Sequence, residues 1–282
     1  MGIKAAYFDG LTYIQNDVLP AIPSSSPYGF LSYWYNSTFA GTNSWQTMLE
    51  NNDGSDNNSV WIVQRGGTGS SGGALEIALA DNPDYDSYME RWGDIGGDED
   101  FLPYDGNWHN VMISWNTQTG DCVAYLDNSA VNMTDPRSAS YGTFDMGFND
   151  YLWRVGLEDP SRTFPGVSPG YSSYVGSLAE MIFMTGFPVD ITQASVRARI
   201  IDPDTLLPVP IDAAGYYLLG DSGSVPQIFL SGDETGFLKN YPNYTATCTS
   251  QADASPSNAF YVPSESSALQ TASNDPFGNP MS

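Results

Sequence analysis

An all-β fold, built as one large antiparallel sandwich rather than two equal domains, is what this 282-residue sequence predicts, on three observations. Apolar and polar residues alternate with a period of two along much of the chain. Gly (28) and Pro (19) punctuate it at short intervals, which calls for many turns. Lys and Arg together number nine, too few for a set of amphipathic charged helices. All-β sandwiches commonly reach about 200–250 residues as one domain, so a single domain with an extension fits the length.

Taken in order, the first clear strand is 29–35, where Phe30, Ser32 and Trp34 alternate with Leu31, Tyr33 and Tyr35. Residues 60–63 (Val-Trp-Ile-Val) and 74–79 (Ala-Leu-Glu-Ile-Ala-Leu) read as a hairpin around the glycine-rich loop 66–73. That loop lacks the Lys-Ser/Thr of a phosphate cradle, and no helix pattern follows it. Residues 81–107 are acidic and turn-rich, and are expected to form a surface excursion with aromatics turned inward and carboxylates outward. Residues 109–115 and 121–127 are strands joined by the turn Asn116–Gly120. Two more strands are expected at 151–157 and 177–185. One helix is expected, capped by Asp190 with Gln193 three residues on and running to about Ile200 before Pro203 stops it. Beyond it lie strand candidates at 215–219, 227–230 and 244–249. From Ser250 onward hydrophobes are sparse, and the composition is that of an extended arm.

The charge excludes whole classes of partner. Thirty-three acidic residues against nine basic ones give −24, so nucleic acid and anionic membrane surfaces are both repelled. No stretch reaches the ~20 apolar residues of a membrane span, and the first residues lack a signal-peptide core. Synthesis in the cytoplasm is therefore expected. Cys122 and Cys248 form no disulfide framework and read as small buried thiols.

Three stretches in order resemble the laminin-G-like and concanavalin A-like domains. The segment 7–14 (Tyr-Phe-Asp-Gly-Leu-Thr-Tyr-Ile) is similar to their opening strand. Trp108-His-Asn-Val-Met-Ile-Ser-Trp115, with Gly120 and Val123-Ala-Tyr-Leu-Asp127, is similar to their central hairpin. Val175-Gly-Ser-Leu-Ala-Glu-Met-Ile-Phe183 and the helical turn after it resemble their closing strand and helix. The stretch from Ile201 to Asp233 resembles one that follows this domain in proteins of tailed bacteriophages. The resemblance implies a two-sheet jelly roll over residues 1–202, an appended β segment at 203–249 and an arm at 250–282. It also implies a non-enzymatic virion protein, for capsid decoration or the tail surface, that binds other virion proteins and is itself a homo-oligomer.

The chemistry is sparse. Glucanases of this fold carry E-x-D-x-x-E or E-x-D-x-E on one strand, and here Glu76 is followed by Ala78. His109, the one histidine, reads as a packed or hydrogen-bonded strand-end residue, and Cys122 as core. No catalytic residue is assigned; a glycoside hydrolase or lyase is the rival from another class. Tyr85, Tyr88, Trp92 and Tyr104 are the candidates for contact with a partner or a sugar ring, the lectin-like alternative, with a cell-surface glycan as ligand. Calcium is the one cofactor to consider. Its candidate ligands are Asp53, Asp56, Asp98 and Asp100, although neither loop completes a D-x-[DN]-x-[DN]-G pattern and solvated acidic loops are the competing reading.

Overall fold

The computed structural model describes residues 5–11, 13–16, 25–38, 45–52, 58–65, 75–80, 88–94, 102–134, 143–147, 152–156, 174–209, 226–231 and 270–271. Among them the chain forms sixteen strands and one short helix. The strands are β1 (Ala6–Asp9), β2 (Ile14–Asn16), β3 (Ser25–Ser26), β4 (Tyr28–Asn36), β5 (Trp45–Asn52), β6 (Asn58–Arg65), β7 (Leu75–Ala80) and β8 (Tyr88–Asp94). They continue with β9 (His109–Asn116), β10 (Asp121–Leu126), β11 (Ser129–Thr134), β12 (Met146–Gly147), β13 (Leu152–Val155), β14 (Val175–Thr185), β15 (Ile228–Leu230) and β16 (Gln270–Thr271). The helix α1 spans Ala194–Arg197.

The alternation becomes a two-layer antiparallel sandwich. The order β16-β1-β14-β4-β9-β10-β11-β8-β7-β6-β5-β13-β2 is a single hydrogen-bonded path, and β15 pairs with β14 off that path. β11 belongs to both layers, pairing with β10 on one side and β8 on the other. Leu31, Tyr33, Tyr35, Val111, Ile113 and Phe183 of the first layer share one buried cluster with Ile62, Ile77, Leu79, Met89 and Trp153 of the second. The layers touch directly: the Trp153 and Phe183 rings are 4.9 Å apart, and Gln64 donates to the Tyr33 hydroxyl at 3.0 Å. A second apolar cluster covers the other face of the first layer, where Phe30, Trp34, Met112 and Ile182 meet Val189, Ile191 and Ile200 of the segment around α1. That segment is pinned by Arg197, which sits 4.2 Å over the Tyr125 ring and donates to Asn128 Oδ1 at 2.6 Å.

The all-β expectation holds, and several elements differ in detail. Residues 88–94 are not part of a loop: β8 is an interior strand between β7 and β11. Its core row carries Met89, Arg91 and Gly93, only one of them a hydrophobe; Arg91 donates to Gly120 O at 2.8 Å instead of packing. β5 and β11 were not apparent from the pattern, and β5 carries a bulge at Met48 that breaks its alternation. The helix is shorter than expected because the Asp190 carboxylate is used within a preceding turn. It accepts from Thr192 N at 3.1 Å and Gln193 Nε2 at 2.8 Å, so Gln193 becomes the N-cap and makes no side-chain cap bond. The hairpin turn Asp127-Asn128 has positive φ at both residues (46° and 66°), as a tight two-residue turn of right-handed twist requires. Strand β15 forms within the expected 227–230, and two residues of the arm, Gln270 and Thr271, add to the edge of β1. The strand candidates 215–219 and 244–249, the glycine loop 66–73 and Cys248 lie outside the described residues. No helix of the described residues is long and apolar enough to cross a membrane.

Candidate functional site

Chemistry-bearing residues gather in two places. The first is the face of the second layer turned away from the core. Side chains alternate across a strand, and directly opposed residues share a face. Val60, Ile62 and Gln64 point to the core, so positions 61, 63 and 65 of β6 belong to the opposite face. The register then sets two rows across adjacent strands. One row runs Gln15, Arg154, Glu50, Trp61, Ala78, Glu90, and the other Thr47, Val63, Glu76, Trp92, Thr134. Tyr88 lies opposite Ala80 in the next row. This face carries three carboxylate positions and three aromatic positions around small alanines. Glu50 is fully buried, with Arg154 Nη1 4.0 Å from its carboxylate, and Glu76 is 1% exposed.

The second place is the end of the sandwich where β4, β9, β10 and β14 meet the segment 102–108. His109 opens β9 with Asp127 Oδ2 2.6 Å from Nδ1 and Asp105 Oδ1 3.1 Å from Nε2. Burial works against its charge, but the two carboxylates outweigh it and raise the imidazole above its ordinary value. Asp105 is held down at about 2: desolvation opposes the shift, and bonds from Asn107 and His109 prevail. The 102–108 segment is tied to β4 by Asn36 Nδ2 donating to Gly106 O at 2.5 Å and Gly106 N donating to Ser37 O at 3.1 Å. Beside His109 lie the buried rings of Tyr35, 5.6 Å away, and then Tyr33, 6.3 Å from Tyr35.

Both ring nitrogens of His109 are occupied by carboxylates, so it is a structural residue, as its strand-end position suggested. The Cys122 thiol packs against the core, where burial pushes it up to about 12 despite Arg91, which removes it as a nucleophile at neutral pH. Of the expected contact residues, Tyr88 and Trp92 sit two rows apart on the same face of β8. Tyr104 does not join them: it is in the 102–108 segment at the sandwich end, with a buried hydroxyl. Tyr85 and the candidate calcium ligands Asp53, Asp56, Asp98 and Asp100 lie outside the described residues. Among the described residues no three His, Cys, Asp or Glu side chains gather to hold a metal ion.

Sequence reasoning missed Glu50, Arg154 and Glu180. Glu180 lies in the bulge of β14 with φ +47°, is 6% exposed, and receives a hydrogen bond from the Ser231 hydroxyl. Burial raises its carboxyl to about 7, with Ser231 opposing. The signal was present as a lone acid inside the apolar run Leu178-Ala-Glu-Met-Ile182.

No protein-family model matches the chain, and no curated protein matches it. Among solved structures, it is similar to a heptameric SAP-like pentraxin from Limulus polyphemus (10% identity, 82% of this chain and 91% of that one, TM-score 0.49). It is also similar to domains LG4-5 of the mouse laminin alpha1 chain (13% identity, 68% and 44%, TM-score 0.42). A third is the CBM40 domain of the Ruminococcus gnavus IT-sialidase bound to alpha2,6 sialyllactose (11% identity, 62% and 88%, TM-score 0.39). The similar structures thus include laminin G domains, the type that the strand motifs resemble.

Proposed function

We propose that the chain is a non-catalytic recognition module that binds a glycan on the face of its second layer turned away from the core. The observation that carries this is the pair of rows Arg154-Glu50-Trp61-Ala78-Glu90 and Glu76-Trp92. Aromatic faces stack on the apolar side of sugar rings, and carboxylates accept from sugar hydroxyls. Glu50 and Glu76 are buried in the floor of that face, Glu50 beside Arg154, and in this reading positions 61, 88 and 92 make the contact. With His109 and Cys122 committed to structure, neither is available as base or nucleophile for a reaction. A glycan array, run with and without chelator, tests the reading and the proposal of calcium at Asp53, Asp56, Asp98 and Asp100. Trp92→Ala and Trp61→Ala should each weaken the strongest hit about tenfold or more. An array with no hits in either condition, or hits indifferent to both variants, would sink it.

A second reading keeps the same fold in a different setting: a virion protein of a tailed bacteriophage, at the capsid or tail surface. Two features favour it, the resemblance of the Ile201–Asp233 stretch and the addition of Gln270–Thr271 to the β1 edge from a distant part of the chain. Strand addition at an open edge is a common mode of assembly. Deleting residues 250–282 should leave a folded domain that no longer assembles; a truncated chain that assembles normally refutes this.

A further inference from the structure

His109 joins two carboxylates that come from different parts of the chain. Its Nδ1 is 2.6 Å from Asp127 Oδ2, and its Nε2 is 3.1 Å from Asp105 Oδ1. An ionised carboxylate only accepts hydrogen bonds, so both contacts are bonds only when both ring nitrogens carry a proton. A neutral imidazole has one N–H and serves one of the two; its other nitrogen then turns a lone pair toward a carboxylate. The two carboxylates are not held alike. Asp127 sits in the tight turn after β10, where its Oδ1 accepts from Asn110 N at 2.8 Å and its own N–H donates to Asn110 O at 2.9 Å. Asp105 is 49% exposed, and among the described residues its other bonds stay within its own segment, from Asn107 N and Asn107 Nδ2, both at 2.8 Å.

We propose that His109 is a proton-operated clasp on the 102–108 segment: the imidazolium holds Asp105 and Asp127 together, and the neutral ring keeps Asp127 and releases Asp105. The retained proton is on Nδ1, because Asp127 is fixed to Asn110 whereas Asp105 is free to turn into water. Three elements face the ring. The 102–108 segment offers Asp105, the turn after β10 offers Asp127, and β4 offers Tyr35, whose ring is 5.6 Å away and whose phenol burial keeps protonated. No other charged group of the described residues acts on His109. Burial favours the neutral ring, but the two carboxylates outweigh it, so the clasp is closed below pH 6.5 and opens as the pH passes the raised folded value. Release leaves the segment tied to β4 by Asn36 Nδ2 donating to Gly106 O and Gly106 N donating to Ser37 O, with Leu102 buried at its start. The opening is therefore a local loosening around residues 105–107, and the sandwich stays folded.

Amide hydrogen exchange and ring nitrogen-15 shifts, followed by NMR on the full chain from pH about 5.5 to about 8.5, test this. The Gly106 amide reports the segment, since its N–H is bonded to Ser37 O. Corrected for the intrinsic rise of exchange with pH, its protection should fall about two- to fivefold as His109 loses its proton, the range of a partly exposed ion pair. The neutral ring should carry its proton on Nδ1. Asp105→Asn keeps an oxygen for Asn107 but removes the charge facing Nε2, so it should lack most of the Gly106 step while any change in global stability with pH remains. A wild type without the step overturns the proposal. So does a step of equal size in Asp105→Asn, or a neutral ring protonated at Nε2.

Discussion

Glu180 and His109 make stability depend on pH in the same direction for different reasons. Burial raises the Glu180 carboxyl to about 7 in the fold, against its ordinary 4.5 in the unfolded chain, so the folded state keeps a proton that the unfolded state releases. The Glu180 contribution is therefore full below pH about 4.5 and falls as the pH rises to about 7, by roughly 3 kcal/mol in all. Glu180→Gln should abolish most of that slope in urea denaturation and be more stable than wild type at pH about 8. A wild type with no decline over this window would remove Glu180 as its source. His109 is raised above 6.5 because Asp127 and Asp105 outweigh burial, so its charged form favours the fold. That contribution is complete below the unfolded value of 6.5 and disappears as the pH passes the higher folded value. His109→Gln should cost more at pH about 5.5 than at about 8.5, and equal losses at both would show that only packing was removed. His109 was legible in the sequence as a packed or hydrogen-bonded strand-end residue beside Trp108, and it opens β9 with Asp105 and Asp127 on its ring nitrogens. Glu180 was visible as a lone acid but not interpretable, because the bulge that buries it is a property of the β4–β14 register.

The strands that read clearly are those whose core row is filled with hydrophobes. β4, β9 and β14 present such rows to the opposite layer, and each lies within two residues of its expected limits. β8 was hidden because Arg91 and Gly93 occupy its core row, and Gly93 is there for space: a Cβ would lie 2.8 Å from Val131 and 2.9 Å from Met133. β5 was hidden by the Met48 bulge and by Gln46 and Asn51, both fully buried polar residues where hydrophobes are expected. The face proposed to bind a glycan was illegible for a related reason, since its carboxylates come from β5, β7 and β8, and cross-strand register is not written in any one strand. Two glycines test how tightly these elements meet. A Cβ at Gly29 would stand 2.1 Å from the Trp115 ring, and one at Gly176, which has φ +147°, would stand 2.4 Å from the backbone oxygen of Asn36. A side chain can shift and a paired backbone cannot, so Gly176→Ala should be the more damaging. Overpacking alone costs about 1–3 kcal/mol, which sets the expected loss for Gly29→Ala, with Gly176→Ala above it. Denaturation midpoints that rank the two in the opposite order would show that the β14–β4 junction yields.

At the scale of the whole molecule the dominant quantity is the charge of −24. Three of the nine basic residues are spent inside: Arg91 on Gly120 O, Arg154 beside Glu50, and Arg197 on Tyr125, Asn128 and the chain before α1. Six basic residues remain against thirty-three acidic ones, and the compact state brings those charges closer together than the unfolded chain does. Such self-repulsion destabilises folding and is screened by salt, whose Debye length falls from about 10 Å at 0.1 M to about 3 Å at 1 M. The fold should therefore gain ~1 kcal/mol or more over that range, a rise of about 2–4 °C in Tm for a chain of this size. Sodium chloride and calcium chloride at matched ionic strength separate screening from binding. Screening alone gives equal gains, whereas a calcium site adds a further increment that grows with the logarithm of calcium concentration above its Kd. A calcium-specific increment that disappears in Asp98→Asn or Asp53→Asn would identify the loop that holds the ion. A Tm that stays level or falls as sodium chloride rises would mean that the carboxylates are spaced widely enough not to repel, and that the acidity serves a partner surface instead of being a load on the fold.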